Sequence, residues 1–83
     1  MGDVLSIIRV MPTGTDVDLK KVTAEIQKLK PRLVTEHPFA FGLTYLEVKF
    51  IRPDSEGGTD ALEDQMRKIH GVESVEVTGV TLI

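Results

Sequence analysis

The ten residues "LTYLEVKFIR", 43–52, alternate between apolar and polar side chains almost without a break. Leu46, Val48 and Phe50 fall on one side with Thr44, while Tyr45, Glu47 and Lys49 fall on the other. A side-chain period of two over this length means a strand with one buried face and one wet face. The rest of the chain must supply what covers the buried face.

Two segments have the pattern to do so. Leu19, Val22, Ile26 and Leu29 recur at helical spacing, with Lys20, Lys21, Glu25 and Lys28 between them, and Pro31 stops the run. Thr15 and Asp16 are good N-cap types for this helix, and Asp18 then sits in its first turn, where the helix dipole favours an acid. Leu62, Met66 and Ile69 form the stripe of a second helix. It opens on Thr59 and Asp60, with Glu63 completing a capping box, and Gly71 is placed to close it.

Three more segments read as strands. "VLSIIRVM", 4–11, is short and rich in β-branched residues, and Pro12 and Gly14 end it. "RLVTEH" can extend as far as Pro38. The last segment, "VESVEVTGVTLI", alternates through Val75 and Val77 and then slips phase at Gly79, since Val80 and Leu82 continue one residue out of step. A glycine at a phase slip predicts a bulge or bend.

The order is therefore β-α-β-β-α-β. Right-handed crossovers in both halves lay the two helices on the same face of the sheet. The expected fold is an α+β, ferredoxin-like βαββαβ sandwich, a four-stranded antiparallel sheet with two helices on one face. At 83 residues the chain suits one domain, 1–83, built on a thin core.

Composition removes several functions that this fold can host. Thirteen acidic against ten basic residues, a net charge of -3, disfavour a nucleic-acid surface, and no basic run of five exists. The open face offers a single outward aromatic, Tyr45, where an RNA-recognition sheet needs several. Absence of cysteine excludes an iron–sulfur cluster, a CxxC metal carrier and a thiol nucleophile, and suits a reducing cytoplasm. No apolar run can span a membrane, and "MGDVLSIIRV" lacks the basic start of a signal peptide. His37 and His70 have no Ser or Asp at catalytic spacing, so no enzyme is expected. His70 reads as a cation-capable residue near a helix C-terminus. Asp54, Glu56 and Asp60 do not match a calcium loop and read as a solvated turn.

What remains unexplained is "EHPFAFGL", 36–43, which puts Phe39 and Phe41 on a turn between two strands. On the residues alone, either phenylalanine could be the exposed one. His37, before Pro38, reads equally as a turn residue and as an interface contact.

The stretches "VMPTGTDVDL", "EHPFAFGLTYLEV" and "EGGTDALEDQMRKIHGVESVEV" together resemble archaeal members of the elongation factor 1-beta family, in order and over essentially the whole chain. Members of that family exchange GDP for GTP on the translational GTPase elongation factor 1-alpha, and they share the fold derived above. The resemblance implies a cytoplasmic protein, monomeric when free, whose partner is that GTPase, with no cofactor, metal, nucleic acid or membrane bound directly. It also implies that the turn lies against the GTPase, with Phe41 as principal contact between Ala40 and Gly42, flanked by His37 and Pro38. Phe39 then packs on the domain and props the loop. In eukaryotic relatives a penultimate lysine reaches the magnesium and phosphate region of the GTPase. Here that position is Leu82, which cannot compete with a cation, so either the nucleotide is ejected by steric distortion of that region or another basic residue substitutes. Val80, Thr81, Leu82 and Ile83 remain open between a contact segment and an ordinary core-facing strand end. The alternative to an exchange factor is a small regulatory or homodimeric ligand-binding module of the same fold, using Leu5, Ile7, Tyr45 and the chain end as its surface.

Overall fold

The computed structural model describes residues 2–53 and 60–83 of the chain. One of the two inner strands is β1 (Asp3–Pro12), which pairs antiparallel on both sides. The other elements follow as α1 (Leu19–Gln27), β2 (Leu33–Pro38), β3 (Thr44–Pro53), α2 (Asp60–Arg67) and β4 (Val72–Leu82). The sheet order is β2-β3-β1-β4, and all three pairings are antiparallel. This is the expected ferredoxin-like arrangement.

One face of the sheet carries the core. Ile8 stands between Val48 and Val77, and Val10 between Leu46 and Val75, so two apolar rows run across the three strands. Val22 and Ile26 of α1 and Met66 of α2 are buried against the same cluster, which places both helices on that face. Leu29, Leu62 and Ile69, three members of the expected stripes, are partly buried and pack at its margin.

Helix α1 starts later than Thr15 and Asp16 suggest. Its N-cap is Asp18, in extended conformation, whose carboxylate accepts from the Lys20 N–H at 3.0 Å. Val17 packs on the core and lies against Gly71, and that tertiary contact holds the chain out of helix until Asp18. Thr15 and Asp16 instead belong to the preceding turn. At the other end, the Lys30 N–H donates to the Gln27 carbonyl at 3.0 Å with Lys30 at φ 60°, and Pro31 prevents continuation. In α2, Asp60 and Glu63 both lie in the first turn. The expected roles of Thr59 as a cap, and of Asp54 and Glu56 in a turn, fall outside the described residues.

The phase slip in the last strand is a bulge. Ile7 pairs with Gly79 and Ile8 with Val77, so Thr78 is the additional residue, and its hydroxyl donates to the Ile7 carbonyl at 3.2 Å. Two glycines in this region have different reasons to exist. Gly71 has φ +94°, and a methyl group there would approach Val17 Cγ1 to 2.9 Å. Gly79 has no such need, since a methyl group there would meet Ile7 Cδ1 at an ordinary 3.6 Å. Gly71→Ala is therefore expected to lower unfolding free energy by at least about 1–2 kcal/mol, the cost of a left-handed non-glycine residue. Gly79→Ala should change it by less than about 0.5 kcal/mol. Urea denaturation of the two variants side by side checks this contrast.

Candidate functional site

The β2–β3 connection is a tight turn with unusual backbone. The Leu43 N–H donates to the Ala40 carbonyl at 3.3 Å, and the Phe39 N–H donates to the Leu43 carbonyl at 2.7 Å. Between them Phe41 has φ 62° and ψ 30°, and Gly42 has φ 76°. Positive φ at both central residues is the pattern of a type I′ turn, which matches the twist of the flanking strands. Glycine and asparagine normally occupy these positions, because a Cβ in left-handed conformation costs about 1–2 kcal/mol. A phenylalanine there is a local departure from the cheapest sequence, and such departures concentrate at functional positions.

The side chain gains nothing within the chain in return. Phe41 is 93 % exposed, the most exposed large apolar residue among those described. Phe39 is 45 % exposed and meets the Tyr45 ring edge-on at a centroid distance of 6.1 Å. The two aromatics thus divide their roles: Phe39 turns back onto the sheet and Phe41 projects from it.

Behind the turn, the open face of the sheet carries a row of contacts. His37 lies in β2 opposite Tyr45, and the two rings stack at 5.3 Å. His37 Nε2 is 2.9 Å from Thr35 Oγ1 and 3.8 Å from Glu47 Oε1. The Arg9 guanidinium lies 5.8 Å from the Tyr45 ring centroid and donates to Glu76 Oε2 at 2.9 Å. His37 is therefore a strand residue engaged with its own sheet rather than a residue of the turn. Pro38 ends β2 on the helix-facing side, paired with Thr44, and is exposed together with Ala40 and Gly42.

The remaining candidate residues lie at the other end of the molecule. Thr81 pairs with Leu5 and Leu82 with Val4, while Ile83 exchanges backbone hydrogen bonds with Asp3 at 2.9 and 3.3 Å. The bulge returns Val80 and Leu82 to the helix-facing side, yet they are 64 % and 70 % exposed, and Ile83 is 60 % exposed. The final strand is thus not an ordinary core strand to its end. Because β1 runs ten residues between the two sites, they stand roughly 30 Å apart along the strands. The sheet brings His37, Pro38, Ala40, Phe41 and Gly42 together at one corner and Thr81, Leu82 and Ile83 at the opposite corner.

Among the described residues, no three His, Asp or Glu side chains gather as they would around an ion. His70 is exposed at the residue before Gly71. No described helix is long and apolar enough to cross a membrane.

Comparison with known proteins decides the family. Residues 5–83 match the EF-1 guanine nucleotide exchange domain. The chain belongs to the EF-1 guanine nucleotide exchange family. An elongation factor 1-beta of Methanothermobacter thermautotrophicus is 45% identical over 85 residues, covering 96% of each chain. Similar proteins of the same name occur in Methanobrevibacter smithii, at 42% identity over 94% of this chain and 93% of that one, and in Metallosphaera sedula, at 41% over 98% and 96%. The match includes both the Phe41 turn and the exposed chain end of this exchange domain.

Two positions that sequence reasoning passed over are Arg9 and Glu76. They are 67 residues apart in the chain and meet only because β1 pairs with β4. Phe41→Gly is expected to raise stability by up to about 1 kcal/mol, by removing left-handed strain partly offset by glycine's entropy. Phe41→Ala, which keeps the strain and loses only an exposed ring, should stay within about 0.5 kcal/mol of wild type. Chemical denaturation of both variants tests whether the turn is held against its own preference.

Proposed function

We propose that this chain promotes exchange of GDP for GTP on elongation factor 1-alpha by binding that GTPase through its two opposite corners. The observation that carries the reading is Phe41: a fully presented aromatic ring on a backbone conformation that phenylalanine disfavours. Membership in the exchange family supplies the reaction. A rigid aromatic on a sharp turn, with Ala40 and Gly42 beside it, offers large contact area at low conformational cost. His37 and Pro38 form the shoulder of that contact.

Exchange requires no covalent chemistry. The factor binds the nucleotide-free GTPase more tightly than the loaded form, and linkage then weakens nucleotide binding by the same ratio. Release of a tightly held nucleotide needs several kcal/mol of such preference, since each tenfold change is about 1.4 kcal/mol. An interface formed well only when the phosphate- and magnesium-binding region of the GTPase is displaced provides it. Thr81, Leu82 and Ile83 act at that region by bulk and apolar contact, because Leu82 brings no charge to compete with a cation. Incoming GTP then restores the loaded conformation and releases the factor.

Stopped-flow release of a fluorescent GDP analogue from archaeal elongation factor 1-alpha tests this directly. Wild type should accelerate release, and Phe41→Ala should lose about 30-fold of that efficiency, as befits an anchoring aromatic worth about 2 kcal/mol. No acceleration by wild type would overturn the reading. Leu82→Ser, at an exposed position, should leave the melting transition in place while lowering the exchange rate at saturating factor. An unchanged rate would remove the chain end from the mechanism.

A further inference from the structure

The Phe41 turn has little to hold it in place by itself. Its sequence disfavours the conformation, Phe41 contributes almost no burial, and no side chain of the turn is buried. What does reach it is a chain of contacts across the open face. Glu76 on β4 holds Arg9 on β1, Arg9 lies against Tyr45 on β3, and Tyr45 is clasped by His37 of β2 on its face and by Phe39 at its edge. Phe39 is the residue whose N–H closes the turn onto the Leu43 carbonyl. The row therefore crosses all four strands and ends on the hydrogen bond that shapes the loop.

We propose that Tyr45 is a positioning residue for exchange: held between Arg9, His37 and Phe39, it fixes Phe39 and thereby keeps Phe41 in the left-handed conformation that presents its ring to the partner. This inference rests on the exchange function proposed above and assigns Tyr45 no contact with the GTPase. The geometry suits the task. A ring gripped on face and edge has few rotamers left, and stacking and edge contacts are directional in a way that aliphatic packing is not. Arg9 adds a cation to the ring from the opposite side, and Glu76 keeps that cation from swinging into solvent. The phenol hydroxyl plays no part, so phenylalanine should serve at this position as well as tyrosine.

Positioning and contact differ in how two substitutions combine. If Tyr45 acts only through Phe41, its loss matters when Phe41 is present and not otherwise. Exchange efficiency is measured for wild type, Tyr45→Ala, Phe41→Ala and the double variant, with Tyr45→Phe and Phe39→Leu alongside. Tyr45→Ala should lower efficiency by about 5- to 10-fold, the order expected when an aromatic pair and a cation–π contact are lost together. In the Phe41→Ala background the same change should cost less than about twofold, and Tyr45→Phe should match wild type. Phe39→Leu, a milder change that keeps the fold if Tyr45→Ala does not, should show the same dependence on Phe41.

A second readout needs no GTPase. In the free protein, hydrogen exchange of the residue 39 amide should quicken at least tenfold in Tyr45→Ala and stay near wild type in Tyr45→Phe. Losses that multiply in the double variant would overturn the proposal and make Tyr45 an independent contact. Unaltered exchange efficiency in Tyr45→Ala would overturn it too, as would unaltered protection of the residue 39 amide. Failure of wild type to stimulate nucleotide release at all would instead strike the exchange function, while the amide data would still report whether Tyr45 holds the turn.

Discussion

The pairing of β1 with both of its neighbours is the constraint on which the rest of the molecule depends. Ile8 and Val10 are each flanked on both sides by buried or half-buried valine or leucine from a paired strand, and both helices are docked on the rows they form. Each such side chain contributes about 1.5–3 kcal/mol when taken fully out of water. With one layer of helices, the described residues hold no second core to compensate if these rows are disturbed. The opposite face is held by contacts of another kind. Arg9–Glu76, His37–Glu47 and Lys49–Glu47 are partly or mostly exposed pairs, of a type worth about 0–1 kcal/mol each. Stability thus resides on the helix side, and the open side is left free to shape the turn.

Much of this was legible from the residues alone, for a physical reason. Alternation in 43–52 and the helical stripes of Val22, Ile26 and Met66 reflect burial, which acts on every residue of an element and so leaves a periodic trace. The slip at Gly79 was legible because a bulge breaks that period, although the additional residue is Thr78. The start of α1 was not. Thr15, Asp16 and Asp18 are all capable caps within four residues, and the choice is made by Val17 against Gly71, a contact between distant parts of the chain.

The candidate site was legible in its location and not in its mechanics. Two phenylalanines in an aperiodic run announce that something other than burial selected them, but the run does not say which one points outward. Propensity would have put only Gly42 at positive φ, and the structure puts Phe41 there too. The row from Glu76 to Phe39 draws on four strands and on the pairing register between them, so no local pattern contains it. Resemblance to a family pointed to the turn; its backbone angles and the ring geometry beside it come only from the structure.

The bulge at Thr78 also sets a counting rule for the end of the chain. From Val75 to Val77 the odd-numbered residues of β4 face the helices, and from Val80 onward the even-numbered ones do. Removing Thr78 would straighten the pairing and still leave Val80 opposite Ser6 and Leu82 opposite Val4, so both side chains would keep the helix-facing side. The bulge therefore takes up one residue of strand length without altering the surface that the last corner displays.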